Sequence, residues 1–304
     1  MRVAVTGASG LIGSALVVAL RGEGNTVQRL VRRRATADDE VSWDPTTGKV
    51  DLQALAGVDA VVHLAGAGIA DRRWTDSYKK TIHDSRVQGT NTIARAIAAL
   101  NPQPIVLVSG SAIGYYGDRG SLILDETTEK GSGFLADVVA DWEAAAAPAR
   151  DSGIRVVHAR TGHVVSRAGG VLPRMTQIFR FGIGGRLGSG NQYWSSISLR
   201  DEVAALRTLI DNQAFVGPVN LVSPDSVTNR ELTKELGKAL HRPAVLPVPK
   251  FALQVAIGEL AGDAVGSQRV KPAVLLDAGF EFADPTVEAT LDWALNTEPI
   301  GRNG

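Results

Sequence analysis

Two hydrophobic rhythms alternate along the first half of the chain. Short apolar runs stand at 3–6 ("VAVT"), 26–32 ("TVQRLVR"), 59–66 ("DAVVHLAG"), 104–111 ("PIVLVSGS") and 154–162 ("IRVVHARTG"). Between them apolar residues return every three or four positions. In 11–24, Ile12, Ala15, Leu16, Ala19 and Leu20 share one helical face, and Gly22 and Gly24 end it. Residues 75–100 predict a long helix stopping before Pro102. Residues 131–153, "GSGFLADVVADWEAAAAPARDSG", predict one more, closed by Ser152-Gly153. Strands that are apolar throughout are covered on both faces, so the alternation predicts an α/β fold with a doubly wound parallel sheet.

From Arg167 the texture changes. Glycines cluster at "AGG" and "GIGGRLGSG", a helical pattern resumes at "SISLRDEVAALRTLIDN", and "GPVNLVSP" (217–224) reads as one more sheet strand. The tail from Thr228 holds a helix, the proline-rich "RPAVLPVPK" and a last helical pattern. The expected organisation is a sheet domain of 1–165 plus 198–222, and a smaller lobe of 166–197 plus 223–304.

Composition narrows the functions open to such a fold. Lys+Arg and Asp+Glu both number 32, so no global electrostatic case exists for nucleic acid or an anionic membrane as partner. The absence of cysteine excludes disulfides, thiolate catalysis and thiol metal sites. His83, His158, His163 and His241 show no ligand spacing, so no metal is expected. No apolar run approaches the roughly 20 residues of a membrane span. Met1-Arg2 leads straight into a strand rather than a targeting segment, so a cytoplasmic location is expected.

"TGASGLIG" at 6–13 follows the first strand and opens a helix. In that context Gly7 permits a tight turn, Gly10 lets the backbone approach a pyrophosphate, and Gly13 allows close helix–strand packing. The helix N-terminus adds free N–H groups for an anion. The expected contacts are Thr6, Gly7, Ser9, Gly10, Leu11, Ile12 and Gly13, with Leu64, Ala65 and Gly66 after a later strand. An NAD-specific site would carry a carboxylate at the end of the second strand, for the ribose 2′-hydroxyl. Here that strand ends "LVRRR", with no acid before Asp38. Arg32, and next to it Arg33, could hold a 2′-phosphate, which points to NADP(H); a solvated basic turn is the alternative.

"TGASGLIG", "LVRR", "VVHLAG", "SRVQGT" and "GSGNQYWSSISLRDEV" together resemble the extended short-chain dehydrogenase/reductase superfamily. "WDP" (43–45), "RRW" (72–74) and "GSQRVKPAVLLDAGFEF" (266–282) resemble its atypical, epimerase-like branch with a distinctive C-terminal domain. The resemblance implies a Rossmann-like NADP-binding fold and a small-molecule substrate held between two lobes. Members are commonly dimers, and the sequence leaves a homodimer open.

The same resemblance places an active-site serine ahead of a tyrosine-glycine pair. Ser111 in "SGSAIGYYG" is the match, with Ser109 the fallback. A tyrosine and a lysine should open the next helix, yet anchoring on Glu143 puts Leu135 and Val139 there. Tyr115 or Tyr116 could replace the missing acid, or both could simply pack. Arg73 is a substrate candidate, and Arg86 could reach the cofactor. Gln192 and Trp194 stand in a loop where nucleotide-sugar epimerases carry a diphosphate-binding arginine. Trp194 in that place argues for a smaller, partly apolar ligand, or merely closes a core. Two readings stay open: an NADP-dependent oxidoreductase or epimerase acting on a small carbonyl or hydroxyl compound, and a non-catalytic NADP(H)-binding regulatory or scaffold protein.

Overall fold

The computed structural model describes residues 1–298. Eight strands form its main sheet: β1 (Arg2–Thr6), β2 (Thr26–Val31), β3 (Glu40–Asp44), β4 (Lys49–Val50), β5 (Ala60–His63), β6 (Val106–Ala112), β7 (Arg155–Thr161) and β8 (Gly217–Leu221). Their order across the sheet is β8-β7-β6-β5-β1-β2-β3-β4. β1 runs parallel to β2 and β5, β2 to β3, and β5 to β6, while β4 turns back antiparallel on β3. Val3, Ala4, Val5, Val61, Val62, Leu107 and Val108 are fully buried, as unbroken apolar strands require. The Rossmann-like, doubly wound sheet is therefore present.

The chain builds outward from β1 on one side and returns on the other from β5. The winding direction thus reverses between β1 and β5, and ligands of such sheets bind at the carboxyl ends beside that reversal. Register aligns Thr6 with Leu30 and His63, and His63 with Ser109, so the residues following these strands share one edge.

The main helices are α1 (Leu11–Gly22), α2 (Asp76–Ala98), α3 (Phe134–Ala144), α4 (Ala147–Asp151), α5 (Leu172–Arg180), α6 (Leu199–Asp211), α7 (Asn229–Ala239) and α8 (Lys250–Ile257). α2 starts where Thr75 accepts the Tyr78 N–H, and α7 carries a full capping box between Thr228 and Glu231. Two details depart from the hydrophobic pattern. The stretch 131–153 forms two helices rather than one, because Pro148 has no N–H to continue the ladder and instead occupies the first turn of α4. β3 and β4 also extend the sheet beyond β2, a short pair that the strand–helix rhythm passes over.

The chain divides into two compact units: 1–112 with 137–160 and 203–219, and 113–136 with 161–202 and 220–304, described to residue 298. Segment 113–136 lies with the second unit, whereas the sequence-based boundaries leave it in the first. The second unit contains short ribbons, 193–194 with 227–228 and 123–124 with 269–270, and a three-stranded piece from 163–166, 169–170 and 196–198. Among the described residues no helix is long and apolar enough to cross a membrane.

Candidate functional site

The turn after β1 is built so that only glycine fits. Gly7 lies at φ +66°, and a Cβ there would sit 2.8 Å from the Leu64 carbonyl carbon. A Cβ on Gly13 would meet the Gly7 carbonyl oxygen at 2.2 Å. Gly10 donates its N–H to the Gly7 carbonyl at 2.9 Å and caps α1 without any side chain over the helix end. The N–H groups of the first turn therefore face outward with their partial positive charge, beside exposed Ser9 and half-buried Leu11 and Ile12.

Thr6 ties this turn to the end of β5. Its Oγ1 accepts the N–H groups of Leu64 (3.0 Å) and Ala65 (3.2 Å) and lies 2.8 Å from His63 Nδ1. Two acceptor bonds leave the hydroxyl proton for Nδ1, so His63 carries its own proton on Nε2. Complete burial lowers the imidazole to about 4, and it stays neutral. Thr6 was expected as a nucleotide contact; its hydroxyl is instead occupied within the protein and shapes the loop.

At the end of β2 the three arginines divide. Arg33 is bound to buried Glu40 through Nη2 (2.6 Å) and Nη1 (2.8 Å), holding that carboxyl at about 2. Asp39 is likewise bound by Arg29, at 2.8 and 2.9 Å. Arg32 is exposed and makes no hydrogen bond or ion pair among the described residues. It borders a groove of about 370 Å³ whose other walls include Arg34, Ser42, Trp43, Asp44 and Lys49. Of the two arginines expected to take a phosphate, Arg33 is committed to Glu40 and Arg32 is available.

Residues 3–221 match the NAD dependent epimerase/dehydratase family, and 248–294 match a domain of unknown function, DUF1731. The chain belongs to the NAD dependent epimerase/dehydratase family. An epimerase family protein of Mycobacterium tuberculosis, MT2273, is 46% identical over 293 residues, 96% of this chain and 97% of that protein. The SDR39U1 homolog of Arabidopsis thaliana, named as chloroplastic, is 36% identical over 93% of this chain and 83% of its own length. Among solved structures, human epimerase family protein SDR39U1 with NADPH superposes with a TM-score of 0.89 at 32% identity, covering 97% of this chain and 99% of that one.

In this epimerase/dehydratase family chain, the residue at the serine position has an unexpected partner. Ser111, at the end of β6, places Oγ 2.6 Å from Glu143 Oε1 on α3. Arg160, on β7, grips the same carboxylate through Nε at 2.8 Å and Nη2 at 2.9 Å. Burial pushes Glu143 up, but the hydrogen bond and charge of Arg160 outweigh it and leave the carboxyl below its ordinary range. Glu143 is thus an acceptor, and Ser111 must donate to it. Towards a ligand Ser111 therefore presents lone pairs. Glu143 and Arg160 were not anticipated as functional; their signal was a glutamate and an arginine in the mainly apolar "VVADWEA" and "VVHAR". Val139 is buried and Leu135 half-buried, so α3 provides no acid where the family pattern would.

Arg86, on α2, lies beneath the loop after β5. It donates to the Ala67 (2.9 Å) and Ile82 (3.1 Å) carbonyls and sits 5.1 Å from the centre of the Trp142 ring. Burial lowers its pKa to about 10, and it makes no carboxylate ion pair among the described residues. Its guanidinium approaches to 3.5 Å of where a Gly66 Cβ would stand, next to the expected Leu64–Gly66 contacts. Arg73 is exposed in the loop before α2.

The remaining expected residues belong to the second unit. Tyr116 is fully buried among Ile113, Leu124, Val222 and Val270, and its hydroxyl donates to Asn220 Oδ1 at 2.8 Å. This geometry matches the packing alternative for Tyr116. Tyr115 is half-buried, edge-on to Tyr116 at 5.5 Å. Trp194, expected to offer an aromatic surface, is buried and stacks on His163 at 4.8 Å. Gln192 is buried and donates to the Leu187 carbonyl at 3.0 Å. No group of acids and histidines suited to a metal occurs among the described residues.

Proposed function

We propose that this chain is an NADP(H)-dependent enzyme of the atypical short-chain group, an oxidoreductase or epimerase that works on a small hydroxyl compound. The observation that carries the reading is Arg32, an exposed guanidinium at the tip of β2 with no ion pair among the described residues, while Asp39 and Glu40 are already bound to other arginines. A phosphorylated ribose fits that arrangement better than a bare one. The human relative solved with NADPH points the same way.

In this reading the Gly7–Gly13 turn and the N-terminus of α1 hold the pyrophosphate, and Arg32 holds the 2′-phosphate. The Leu64–Gly66 loop, backed by Arg86, forms the wall beside them. The bound cofactor supplies hydride transfer at its nicotinamide ring. Ser111, kept as an acceptor by Glu143, receives the hydrogen bond of a substrate hydroxyl and orients the carbon bearing it. Water takes the proton released by that hydroxyl, since α3 carries apolar Leu135 and Val139 at the tyrosine and lysine positions. A positioned general acid or base contributes roughly 10²–10⁴-fold, so turnover is slow.

The apolar Leu135 and Val139 favour a second reading, a regulatory NADP(H)-binding protein without chemistry. Incubation with NADP⁺ and an alcohol panel, and with NADPH and a carbonyl panel, separates the two. Turnover of any panel member, abolished by Ser111→Ala, supports the enzyme; cofactor binding with no turnover across both panels supports the regulator.

A further inference from the structure

Formal neutrality hides a strong local imbalance. No acidic residue occurs between Asp151 and Asp201, and none between Glu235 and Glu259. These two acid-free segments meet within the second unit: Leu246 donates its N–H to the Gly184 carbonyl (3.3 Å), Val248 to Arg186 (2.8 Å), and Gly188 to Val248 (2.9 Å).

The same segments expose large apolar side chains. Phe181 is 72% exposed, Ile183 55%, Val245 72%, Phe251 69% and Val255 74%. Phe251 and Val255 are four residues apart on α8 and so share one face. Soluble surfaces seldom group apolar residues in this way unless something covers them. The basic residues beside them are Arg174 and Arg180, both exposed on α5. A groove of about 670 Å³ lies at the end of α7, lined by Lys234, Lys238, His241, Arg242 and Val245. Lys238 is partly neutralised by Glu235 at 2.6 Å. Val245 is one of these exposed apolar residues and also lines the groove.

Exposed aromatic and branched side chains in two acid-free segments that meet, with exposed arginines in both, complement a surface that is apolar within and anionic at its rim. We propose that this face of the second unit docks peripherally on an anionic phospholipid membrane. Phe181, Val245, Phe251 and Val255 enter the headgroup–acyl boundary, while Arg174, Arg180, Lys234 and Arg242 meet lipid phosphates. The cytoplasmic leaflet carries the required charge. Docking of this kind lays the surface on the bilayer and needs no membrane-crossing helix, and none occurs among the described residues.

Co-sedimentation of the full chain with vesicles tests the proposal. Pelleting is expected with phosphatidylcholine–phosphatidylglycerol vesicles at low salt, weakening as salt rises, and not with phosphatidylcholine alone. Removing one cation weakens binding about fivefold, so Arg180→Gln with Arg242→Gln lowers it about 25-fold. Phe181→Ser with Phe251→Ser abolishes it, while circular dichroism and the Tm confirm that each variant stays folded. The proposal is overturned by equal pelleting on neutral vesicles, or by none on anionic ones. It is overturned too if ultracentrifugation shows a dimer that the Phe181→Ser and Phe251→Ser changes dissolve, because the occupant is then a second copy.

Discussion

Ser111 and Glu143 are joined by a single short hydrogen bond, 2.6 Å from Oγ to Oε1, and its direction is set by Arg160 on the far side of the carboxylate. The three residues come from β6, α3 and β7 and are largely shielded from water, so the pair resists substitution of one partner at a time. Glu143→Gln leaves the Arg160 cation buried without its counter-charge and is expected to cost about 3–5 kcal/mol in urea unfolding. Adding Arg160→Met to Glu143→Gln recovers most of that loss, since no uncompensated charge remains. Equal destabilisation by the single and double variants would show that the pair is not the source.

The two adjacent tyrosines separate cleanly. Tyr116→Phe removes the donor to buried Asn220 and is expected to lower stability by about 1–2 kcal/mol, leaving cofactor affinity unchanged. Tyr115→Phe leaves that bond in place, so the loss tied to Asn220 is expected in Tyr116→Phe alone. Thermal unfolding and cofactor titration of both variants read these outcomes.

Glu202 offers a test through pH. It is fully buried, Thr161 Oγ1 donates to its Oε1 at 2.8 Å, and its Oε2 has no partner among the described residues. Burial pushes its carboxyl up to about 8, from an ordinary value of 4.5. The unfolded chain therefore releases this proton at lower pH than the folded one. The stability tied to it is complete below pH 4.5 and falls as pH rises towards 8. Glu202→Gln keeps the Thr161 hydrogen bond and removes the titration. It should raise stability by roughly 3 kcal/mol at pH 7, with little difference from the parent near pH 4.5. Urea unfolding across that range, showing parallel pH curves for parent and variant, would contradict the assignment.

What could be read from the sequence follows how local each constraint is. Gly7 and Gly13 were legible because a left-handed turn and a close strand–helix approach exclude a Cβ whatever else the chain does. The parallel sheet was legible because a strand covered on both faces is apolar at every position. The state of Ser111 was not legible, since it depends on Glu143 thirty-two residues later and on Arg160 beyond that. Arg32 and Arg33 look alike in "LVRRR", and only the fold brings Glu40 against one of them. Whether Trp194 offers a surface or packs was not legible for the same reason: nothing near it in sequence announces the His163 ring on which it stacks.

The central claim is that the free guanidinium of Arg32 selects a phosphorylated dinucleotide, and fluorescence titration of NADPH against NADH tests it most directly. A charge-assisted contact of about 1.5–3 kcal/mol predicts that NADPH binds at least about tenfold more tightly, and that Arg32→Ala erases the difference by weakening NADPH alone. NADH binding as tightly as NADPH, or Arg32→Ala weakening both equally, would contradict it.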